Sequence, residues 1–386
     1  MKKTIYYWSP CLNEVGTVIS TKNSALSVAK YRKNEFNVKL INACGEWEEH
    51  KNDFIKNGID VIDLSYIKYF KFLPKTGFFS SRLSYIIIFL ISFLPLLFLL
   101  KKKKPEFIIL HLITSLPLFL LFIFNFKTKF ILRISGYPKL NLLRKKFWKI
   151  ISNKLYKITC PTKELMKKLN LMKIFPKEKI FFLQDAIINL DKFYPLKKIN
   201  FEDHDIINKK IILAAGRLTL QKNFSYLINE FSKFLKVNDE YVLVILGKGE
   251  EKNNLIKLIK KNNLSNKVYL LGNVKNVYDY MRSSNVFVLS SLWEELGFVI
   301  AEAALNNLFI ISSDCPNGPK EFLNDGLNGI LYSNNKENSL LNALVTFVNL
   351  KNSKVKIINA KKKCRQYTKF NHNKNLIKII LNEDQI

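Results

Sequence analysis

The chain has 386 residues and a formal net charge of +31, with 62 Lys and Arg against 31 Asp and Glu. At about 150 residues per domain, this length predicts two domains. The charge indicates a polyanionic partner, either nucleic acid or an anionic membrane, and carries no information about the fold. None of the five cysteines forms a C-x-x-C pair, which argues against a zinc site or a disulfide framework and favours reduced thiols.

The N-terminal half alternates apolar runs with helical patterns. Its opening residues contain two lysines but no long apolar stretch, so they predict a first strand and not a signal peptide. The predicted strands are residues 4–8, 38–42, 107–112, 130–134 and 157–160. We assign residues 1–190 to an N-terminal domain.

The C-terminal half shows the same alternation more clearly. Its predicted strands are residues 210–215, 241–246, 268–271, 286–289 and 309–312, with helices between them. Strands that alternate with helices predict a parallel sheet covered on both faces, with ligands at the carboxyl ends of the strands. We place this second domain at residues 205–360, the hinge in the polar stretch 184–209, and a helix at 361–386 that packs back on the first domain.

Two apolar segments bear on a membrane. Residues 85–100 contain Pro95, precede four lysines at 101–104, and fall short of the ~20 residues that a spanning helix needs. We expect this segment to dip into one leaflet; the alternative is a core helix followed by solvated lysines. Residues 107–126 are long enough to span but carry polar residues, and they predict a buried strand followed by a buried helix.

An E-x7-E pattern dominates the C-terminal half. Glu294 follows the strand at 286–289, and Glu302 lies in the helix that begins after Gly297. A glycine there permits a tight turn and lets a ligand approach the backbone, and the free amides of the following helix face the same ligand. One carboxylate can then contact a sugar and the other a ribose; the alternative is an amphipathic helix with two solvated glutamates.

A second pattern surrounds the strand at 210–215. Gly216, Arg217 and Lys222 lie between the end of that strand and the next helix, and the following strand ends in a G-x-G that begins at Gly247. Two cations at the carboxyl end of a parallel sheet suit a diphosphate whose charge grows as a bond to it breaks. The alternative is two surface cations in a chain that has many.

Taken together, these motifs resemble glycosyltransferase family 4, in the order G-R-x5-N-F, a strand ending in G-x-G, E-x7-E, and the glycine-containing segments at 316–321 and 325–329. The resemblance is specific over residues 210–331. It is weaker in the N-terminal half, where residues 133–138 and the loop before Gly16 are similar to members that act on bacterial surface polysaccharides. It implies the α/β GT-B fold of two facing Rossmann-like domains with parallel sheets. The domain at residues 1–190 would bind the acceptor, and the domain at residues 205–360 would bind the nucleotide sugar.

The resemblance also implies roles for individual residues. Arg217 and Lys222 would hold the donor diphosphate, Glu302 the ribose hydroxyls, and Glu294 the donor sugar. The amides of Gly297, Phe298 and Val299 would line the sugar and phosphate site, beside Gly247. His111 would lie near the donor sugar, although a lone histidine is equally compatible with a structural role. Gly16 would approach the donor, but the usual glycine pair is Val15 and Gly16 here, which weakens that assignment.

The implied activity is retaining transfer from a nucleotide sugar, with a UDP-sugar first and GDP-mannose second, to a lipid-linked glycan in surface polysaccharide biosynthesis. No metal or other cofactor is expected. Asp203, His204 and Asp205 form a D-x-D pattern in the polar hinge, which we interpret as a solvated loop. We expect a cytoplasmic protein, peripheral on the inner face of the cell membrane.

Three other classes of protein remain as alternatives. A nucleic-acid-binding protein would account for the charge, but the sequence has no zinc-finger spacing and no basic helix interleaved with aromatic residues, so we expect no nucleic acid partner. An integral membrane protein could be built on residues 85–100 and 107–126. A nucleotide-sugar epimerase of the GT-B type is disfavoured by resemblance alone.

Overall fold

The computed structural model describes residues 2–12, 16–74, 78–138, 140–188, 206, 209–274, 276–334 and 336–382. It divides the chain into two compact units. The first unit contains residues 1–187 and 368–386, and the second contains residues 188–367. The predicted pattern 203–205 lies outside the described residues.

The first unit is built on a seven-stranded parallel sheet of order β3-β2-β1-β4-β5-β6-β7. The strands are β1 (Lys3–Trp8), β2 (Phe36–Asn42), β3 (Asp60–Asp63), β4 (Phe107–Leu110), β5 (Lys129–Arg133), β6 (Lys157–Cys160) and β7 (Ile180–Phe182). Five of them were predicted. The other two, β3 and β7, are short edge strands whose residues are only partly buried for the most part, so they lack the continuous apolar run that marks a central parallel strand.

Helices cover both faces of this sheet. They are α1 (Gly16–Tyr31), α2 (Lys51–Lys56), α3 (Phe78–Lys103), α4 (Ser115–Ile123), α5 (Leu142–Ser152), α6 (Lys163–Leu171) and, from the end of the chain, α14 (Lys369–Leu381). Apolar side chains from the two faces of the sheet belong to separate core clusters, one with α3, α4 and α5 and the other with α1 and α14. The strand and helix predicted within 107–126 are confirmed as β4 and α4.

Helix α3 is longer than the sequence predicted. It has 26 residues and keeps Pro95 inside the helix, because the serines before residue 85 and the first lysines after residue 100 continue the helical turns. By length and composition, Ser80–Lys103 is long and apolar enough to cross a membrane, with a third of its most apolar window buried. The prediction that this segment is too short to span a membrane is therefore wrong, because the helix extends beyond residues 85–100 at both ends.

The second unit has a six-stranded parallel sheet of order β10-β9-β8-β11-β12-β13. The strands are β8 (Lys210–Ala215), β9 (Tyr241–Leu246), β10 (Val268–Gly272), β11 (Val286–Leu289), β12 (Phe309–Ser313) and β13 (Ile330–Tyr332). All residues of β9, β11 and β12 are buried, as expected for central parallel strands. The five strands predicted for this half are confirmed, and the short edge strand β13 is additional.

Seven helices of the described residues complete the second unit: α7 (Phe224–Leu235), α8 (Lys252–Lys261), α9 (Val277–Arg282), α10 (Phe298–Leu305), α11 (Gly318–Phe322), α12 (Ser339–Val348) and α13 (Lys354–Cys364). The C-terminal tail crosses from the second unit to the first at residues 367 and 368. Helix α13 contacts α10, whereas α14 contacts α1 of the first unit. The five cysteines are buried, and none of them forms a disulfide within the described residues.

Candidate active site

The carboxyl ends of β8 and β9 approach each other closely because both are followed by glycine. A Cβ on Gly247 would lie 1.8 Å from the carbonyl oxygen of Gly216, and Gly247 has a φ of +143°. A Cβ on Gly216 would lie 2.9 Å from the Cε of Lys222. No larger residue fits at Gly247, and Gly216 makes room for the lysine side chain to cross the end of the sheet.

Lys222 and Glu294 form an ion pair at this end of the sheet. The Lys222 Nζ donates to Glu294 Oε1, and only 14% and 9% of the two side chains are exposed. The sequence predicted both residues as site residues, but it assigned them to different parts of a donor. The structure brings them into direct contact, although 72 residues separate them along the chain.

Two loops carry this pair and are joined by backbone hydrogen bonds. The amide of Leu292 donates to the carbonyl of Gln221 at 2.8 Å, and the Gln221 side chain donates to the carbonyl of Trp293 at 2.8 Å. Asn223, which precedes α7, adopts a left-handed conformation with a φ of +53°. The loop between β8 and α7 is therefore fixed against the loop after β11, and the charges of both loops keep a defined separation.

Arg217 differs from Lys222 in its surroundings. It is exposed, and within the described part of the chain no carboxylate pairs with it. Its backbone is fixed, because its carbonyl accepts from the amide of Thr219 at 2.8 Å and the next residue, Leu218, donates to the carbonyl of Lys248 at 2.9 Å. A guanidinium on a fixed backbone, with no internal partner, is suited to an anionic ligand.

Glu302 lies in the second turn of α10, and burial raises the pKa of its carboxyl to about 7. Among the described residues, none forms a hydrogen bond or an ion pair with this carboxylate. Tyr278 of α9 lies near this carboxyl group. Burial, and to a lesser extent the Glu302 charge, raise the pKa of the tyrosine. A desolvated carboxylate without an internal partner can accept hydrogen bonds from ligand hydroxyls.

The start of α10 is open towards the same end of the sheet. Gly297 precedes the helix in a left-handed conformation with a φ of +73°, and provides no side-chain cap. The first turn of the helix contains no acidic residue. The amides of Phe298 and Val299, which the sequence analysis assigned to the sugar and phosphate site, are thus available to a ligand.

His111 and Gly16 belong to the first unit. His111 follows β4 and lines a cavity of about 680 Å³. The histidine is buried, neither ring nitrogen has a hydrogen-bond partner among the described atoms, and burial together with the nearby Arg133 and His372 holds its pKa well below 6.5. It is therefore neutral at neutral pH. Gly16 is the exposed first residue of α1.

The same cavity accounts for the segment 133–138 that the sequence analysis singled out. Arg133, Ile134, Ser135, Gly136 and Pro138 all line it. Arg133 is fixed by a buried ion pair with Asp185 at 2.6 Å and by donation to the carbonyl of Leu183 at 2.7 Å. Asp185 was not predicted, because a single acidic residue 52 positions away in a polar stretch gives no pairing signal.

The sequence also missed four polar residues behind the Lys222–Glu294 pair. Ser290, Ser291 and Ser313 are at most 1% exposed, and Asn334 hydrogen-bonds to the carbonyl of Ser291 at 2.9 Å. Two adjacent serines directly after an apolar strand are a signal that could have been used, because buried hydroxyls need partners. Within the described ranges, no group of three or more His, Cys, Asp or Glu residues could hold a metal ion.

Comparison with known proteins places this site in a family. Residues 197–364 match the family model described as glycosyl transferases group 1. An uncharacterized glycosyltransferase of Methanocaldococcus jannaschii is 47% identical over 118 residues, which are 31% of this chain and 29% of the relative. The N-acetylgalactosamine-N,N'-diacetylbacillosaminyl-diphospho-undecaprenol 4-alpha-N-acetylgalactosaminyltransferase of Campylobacter jejuni is 34% identical over 142 residues, 37% of this chain and 38% of the relative.

Solved structures resemble the whole chain. Anabaena HepE in complex with UDP has a TM-score of 0.71 at 14% identity, covering 99% of this chain and 100% of the other. Sucrose-phosphate synthase from Thermosynechococcus elongatus has a TM-score of 0.77 at 14% identity, covering 100% of both chains. At this identity the likeness shows the fold alone.

The two parallel sheets flanked by helices are those of the GT-B fold, which confirms the predicted fold class. Residues 197–364 of the chain thus match the group 1 glycosyltransferases, and the relatives matched over part of the chain are glycosyltransferases. Both findings confirm the resemblance found in the sequence. The matched stretches span 29% and 38% of the first two relatives' length.

The Lys222–Glu294 contact predicts a strong coupling between the two residues. Lys222→Ala should lower the free energy of unfolding by about 3 kcal/mol, because it leaves a nearly buried carboxylate without its counter-charge. Adding Glu294→Gln should restore most of that loss, as measured by urea unfolding. The exposed pair Lys210–Glu240, with side chains 50% and 61% exposed, serves as the control, where Lys210→Ala should change little. A double variant at 222 and 294 less stable than Lys222→Ala would contradict the pairing.

Glu302 predicts a pH-dependent effect on stability. Its pKa rises from 4.5 to about 7 on folding, so ionisation opposes the folded state progressively as the pH rises from 4.5 through 7. Glu302→Gln cannot ionise. We expect the variant to melt at nearly the wild-type temperature at pH 4.5 and clearly above it at pH 8, in a thermal unfolding series. A difference independent of pH would show that the carboxyl is not desolvated.

Proposed function

We propose that this protein transfers a sugar, with retention of configuration, from a UDP-sugar to a lipid-linked glycan acceptor at the inner face of an anionic membrane. The observation that carries the proposal is the arrangement at the carboxyl end of the second sheet. An exposed arginine, a lysine–glutamate pair and a lone desolvated carboxylate there match the diphosphate, sugar and ribose of one ligand. The Anabaena HepE structure of similar fold contains UDP.

The chemistry assigned to these residues is charge stabilisation. As the bond between the sugar and the diphosphate breaks, negative charge grows on the leaving phosphate, and Arg217 and Lys222 stabilise it. Glu294 Oε1 accepts hydrogen bonds from Lys222 and from Ser291, so this carboxylate is an anchored acceptor for sugar hydroxyls and not a free nucleophile. This supports attack by the acceptor hydroxyl on the face of the sugar that the leaving group occupied. The leaving phosphate then takes the proton of that hydroxyl.

The proposed acceptor site is the cavity of the first unit. Its inner end has His111 and Arg133, and its walls include Ser81 and Tyr85 of α3, Ser115 of α4, and Arg144, Phe147 and Trp148 of α5. The guanidinium of Arg144 lies 5.0 Å from the Trp148 ring. Hydroxyl, imidazole and aromatic groups in one cavity suit a sugar, and neutral His111 can donate or accept a hydrogen bond there.

The outer faces of α3, α4 and α5 support the membrane part of the proposal. The three helices lie side by side, with ring contacts from Phe89 to Phe119 at 5.7 Å and from Phe122 to Phe147 at 5.6 Å. They expose a set of large apolar residues that we call the docking face: Leu83, Tyr85, Ile86, Leu90, Ile91, Leu94, Phe98, Phe119, Phe122, Ile123, Leu142, Leu143 and Ile150. Exposed apolar surface of this extent marks an interaction site.

Basic residues flank the docking face. Lys101–Lys103 end α3, and α5 carries Arg144, Lys145, Lys146 and Lys149. Each cation near an anionic surface contributes ~1 kcal/mol of attraction, and inserted apolar side chains add a part that salt does not screen. Apolar centre and basic flank together fit an anionic bilayer surface.

Helix α3 has the length to span, but its packing favours an in-plane position. Every fourth residue on one side, at positions 84, 88, 92, 96 and 100, is at most 1% exposed. Ser84 donates to the carbonyl of Pro74 at 2.6 Å, and Leu96 and Leu100 belong to the core of the sheet. Spanning would remove this side of the helix from the core, whereas docking uses only the outer side.

The donor site is tested at Arg217, which pairs with no carboxylate among the residues that the structure describes. Arg217→Ala should leave the melting temperature unchanged and lower turnover about 10²–10³-fold, the scale of losing one charge-stabilising group. UDP should raise the wild-type melting temperature in a thermal-shift assay and raise that of the variant less. Activity should persist in EDTA. Full activity of Arg217→Ala would contradict the assignment, and strong EDTA inhibition would revive residues 203–205 as metal ligands.

Membrane docking is tested by vesicle sedimentation. The wild type should bind vesicles with anionic lipid and bind less at high salt. Neutralising Lys102, Lys103 and Lys104 to Gln should weaken binding, and so should Leu90→Asp with Leu94→Asp on the exposed side of α3. The matched control neutralises Lys257, Lys260 and Lys261 of α8, an equal change of charge in the second unit. Equal binding to neutral vesicles, or an equal effect of the control, would contradict docking.

A further inference from the structure

The strand ends behind the Lys222–Glu294 pair form a buried hydroxyl network. Ser291 Oγ donates to Glu294 Oε1 at 2.7 Å, and Ser290 Oγ donates to the carbonyl of Lys222 at 2.7 Å. The two adjacent serines after β11 therefore hold one member of the pair each. Ser291 contacts the carboxylate of Glu294, whereas Ser290 contacts the backbone of the lysine.

Ser291 is itself held from behind. Its carbonyl accepts hydrogen bonds from Ser313 Oγ at 2.7 Å and from Asn334 Nδ2 at 2.9 Å. Ser313 ends β12, the neighbouring strand, and neither Ser291 nor Ser313 is exposed to solvent. The hydroxyl that reaches Glu294 thus comes from a backbone position fixed by two strands and two hydrogen bonds, which leaves it little freedom to follow a moving partner.

Donor binding changes the surroundings of Glu294. Lys222 has one of its three protons engaged with Glu294 in this structure, and a diphosphate with its two or more charges competes for the same ammonium. If Lys222 turned to the diphosphate, Glu294 would lose its counter-charge while 9% exposed, and an unpaired carboxylate in that setting is costly. The Ser291 hydrogen bond is the contact that remains.

We infer that Ser291 is a positioning residue of the donor site: it keeps Glu294 in place for the donor sugar while Lys222 moves to the donor diphosphate. The Lys222–Glu294 ion pair is then the state of the empty site, and diphosphate binding releases the carboxylate for the sugar hydroxyls. The inference rests on the proposed function, because it needs a sugar nucleotide as the ligand. It concerns the sugar part of that ligand and not the nucleotide.

The fluorescence of Trp293 can report the binding of a donor directly. It adjoins Glu294 and is 53% exposed, whereas Trp8, Trp47 and Trp148 are at most 5% exposed, and the chain has four tryptophans. Quenching of the intrinsic fluorescence by acrylamide therefore reports Trp293. A ligand that covers the loop at 291–294 should protect this emission, and titration of that protection gives a Kd without any turnover.

The experiment compares Kd values for UDP and for whichever of UDP-glucose, UDP-galactose and UDP-N-acetylglucosamine the wild type binds most tightly. In Ser291→Ala, the affinity for UDP should stay at the wild-type value, and the extra affinity given by the sugar should fall about tenfold, the scale of one hydrogen bond to a charged group. Ser291→Thr, which keeps the hydroxyl, should restore it. Ser312→Ala removes an equally buried hydroxyl, which donates to the Ser313 carbonyl and does not contact Glu294 among the described residues. This control variant should leave the sugar's contribution intact.

A double variant separates positioning from a general loss of packing. In Glu294→Gln, adding Ser291→Ala should weaken the UDP-sugar no further, because both changes act through one carboxylate. Additive losses, or a loss of UDP affinity equal to that of the UDP-sugar, would overturn the role of Ser291 while leaving the donor assignment standing. A wild type that binds the UDP-sugars no more tightly than UDP also overturns it. A wild type that binds none of these nucleotides refutes the proposed donor itself, and with it this inference.

Discussion

A nearly buried ion pair, between Lys222 and Glu294, is the constraint on which the proposed donor site depends. It joins the loop after β8 to the loop after β11, and it exists only because Gly216 leaves space for the lysine and Gly247 lets the two strand ends meet. A buried pair of this kind contributes little net stability, since desolvation offsets the attraction. Its value lies in holding two charges where a ligand can redistribute them.

Arg217 and Glu302, the other charged residues of the site, differ from this ion pair. Arg217 is exposed without a carboxylate partner in the described part of the chain, and Glu302 is desolvated with its pKa raised to about 7. A residue chosen for stability alone would not leave a carboxyl group in that condition. The empty site thus combines one satisfied pair with one cation and one anion that lack partners, and a ligand carrying phosphates and hydroxyls can satisfy both.

The sequence revealed most of this fold because parallel strands buried on both faces appear as continuous apolar runs. All ten predicted strands exist, and the strands that the prediction missed within the described residues are the short edge strands β3, β7 and β13. The residues of the proposed donor site could also be picked out from the sequence, since glycines, cations and glutamates follow strand ends. The sequence did not predict the pairing of distant residues, such as Lys222 with Glu294 or Arg133 with Asp185. It also did not predict the full length of α3, because the serines and lysines at its ends interrupt the apolar pattern although the helix continues through them.

The two buried ion pairs differ in the exposure of their side chains and in the hydrogen-bond donors that they leave unused. These two differences distinguish a structural pair from one that can bind a ligand. The side chains of Arg133 and Asp185 are only 2% and 7% exposed. Arg133 also donates to the Leu183 carbonyl, and Ser20 donates to the same Asp185 oxygen that Arg133 contacts. The arginine there fixes the end of β5, and its charge helps to keep His111 neutral. Lys222 and Glu294 are 14% and 9% exposed, and two protons of the ammonium stay free of any partner among the described residues. Both pairs stand at the carboxyl ends of parallel sheets, yet only the second retains the capacity to bind a further anion. The same pairing chemistry therefore stabilises a wall of the cavity in one unit and prepares a ligand site in the other.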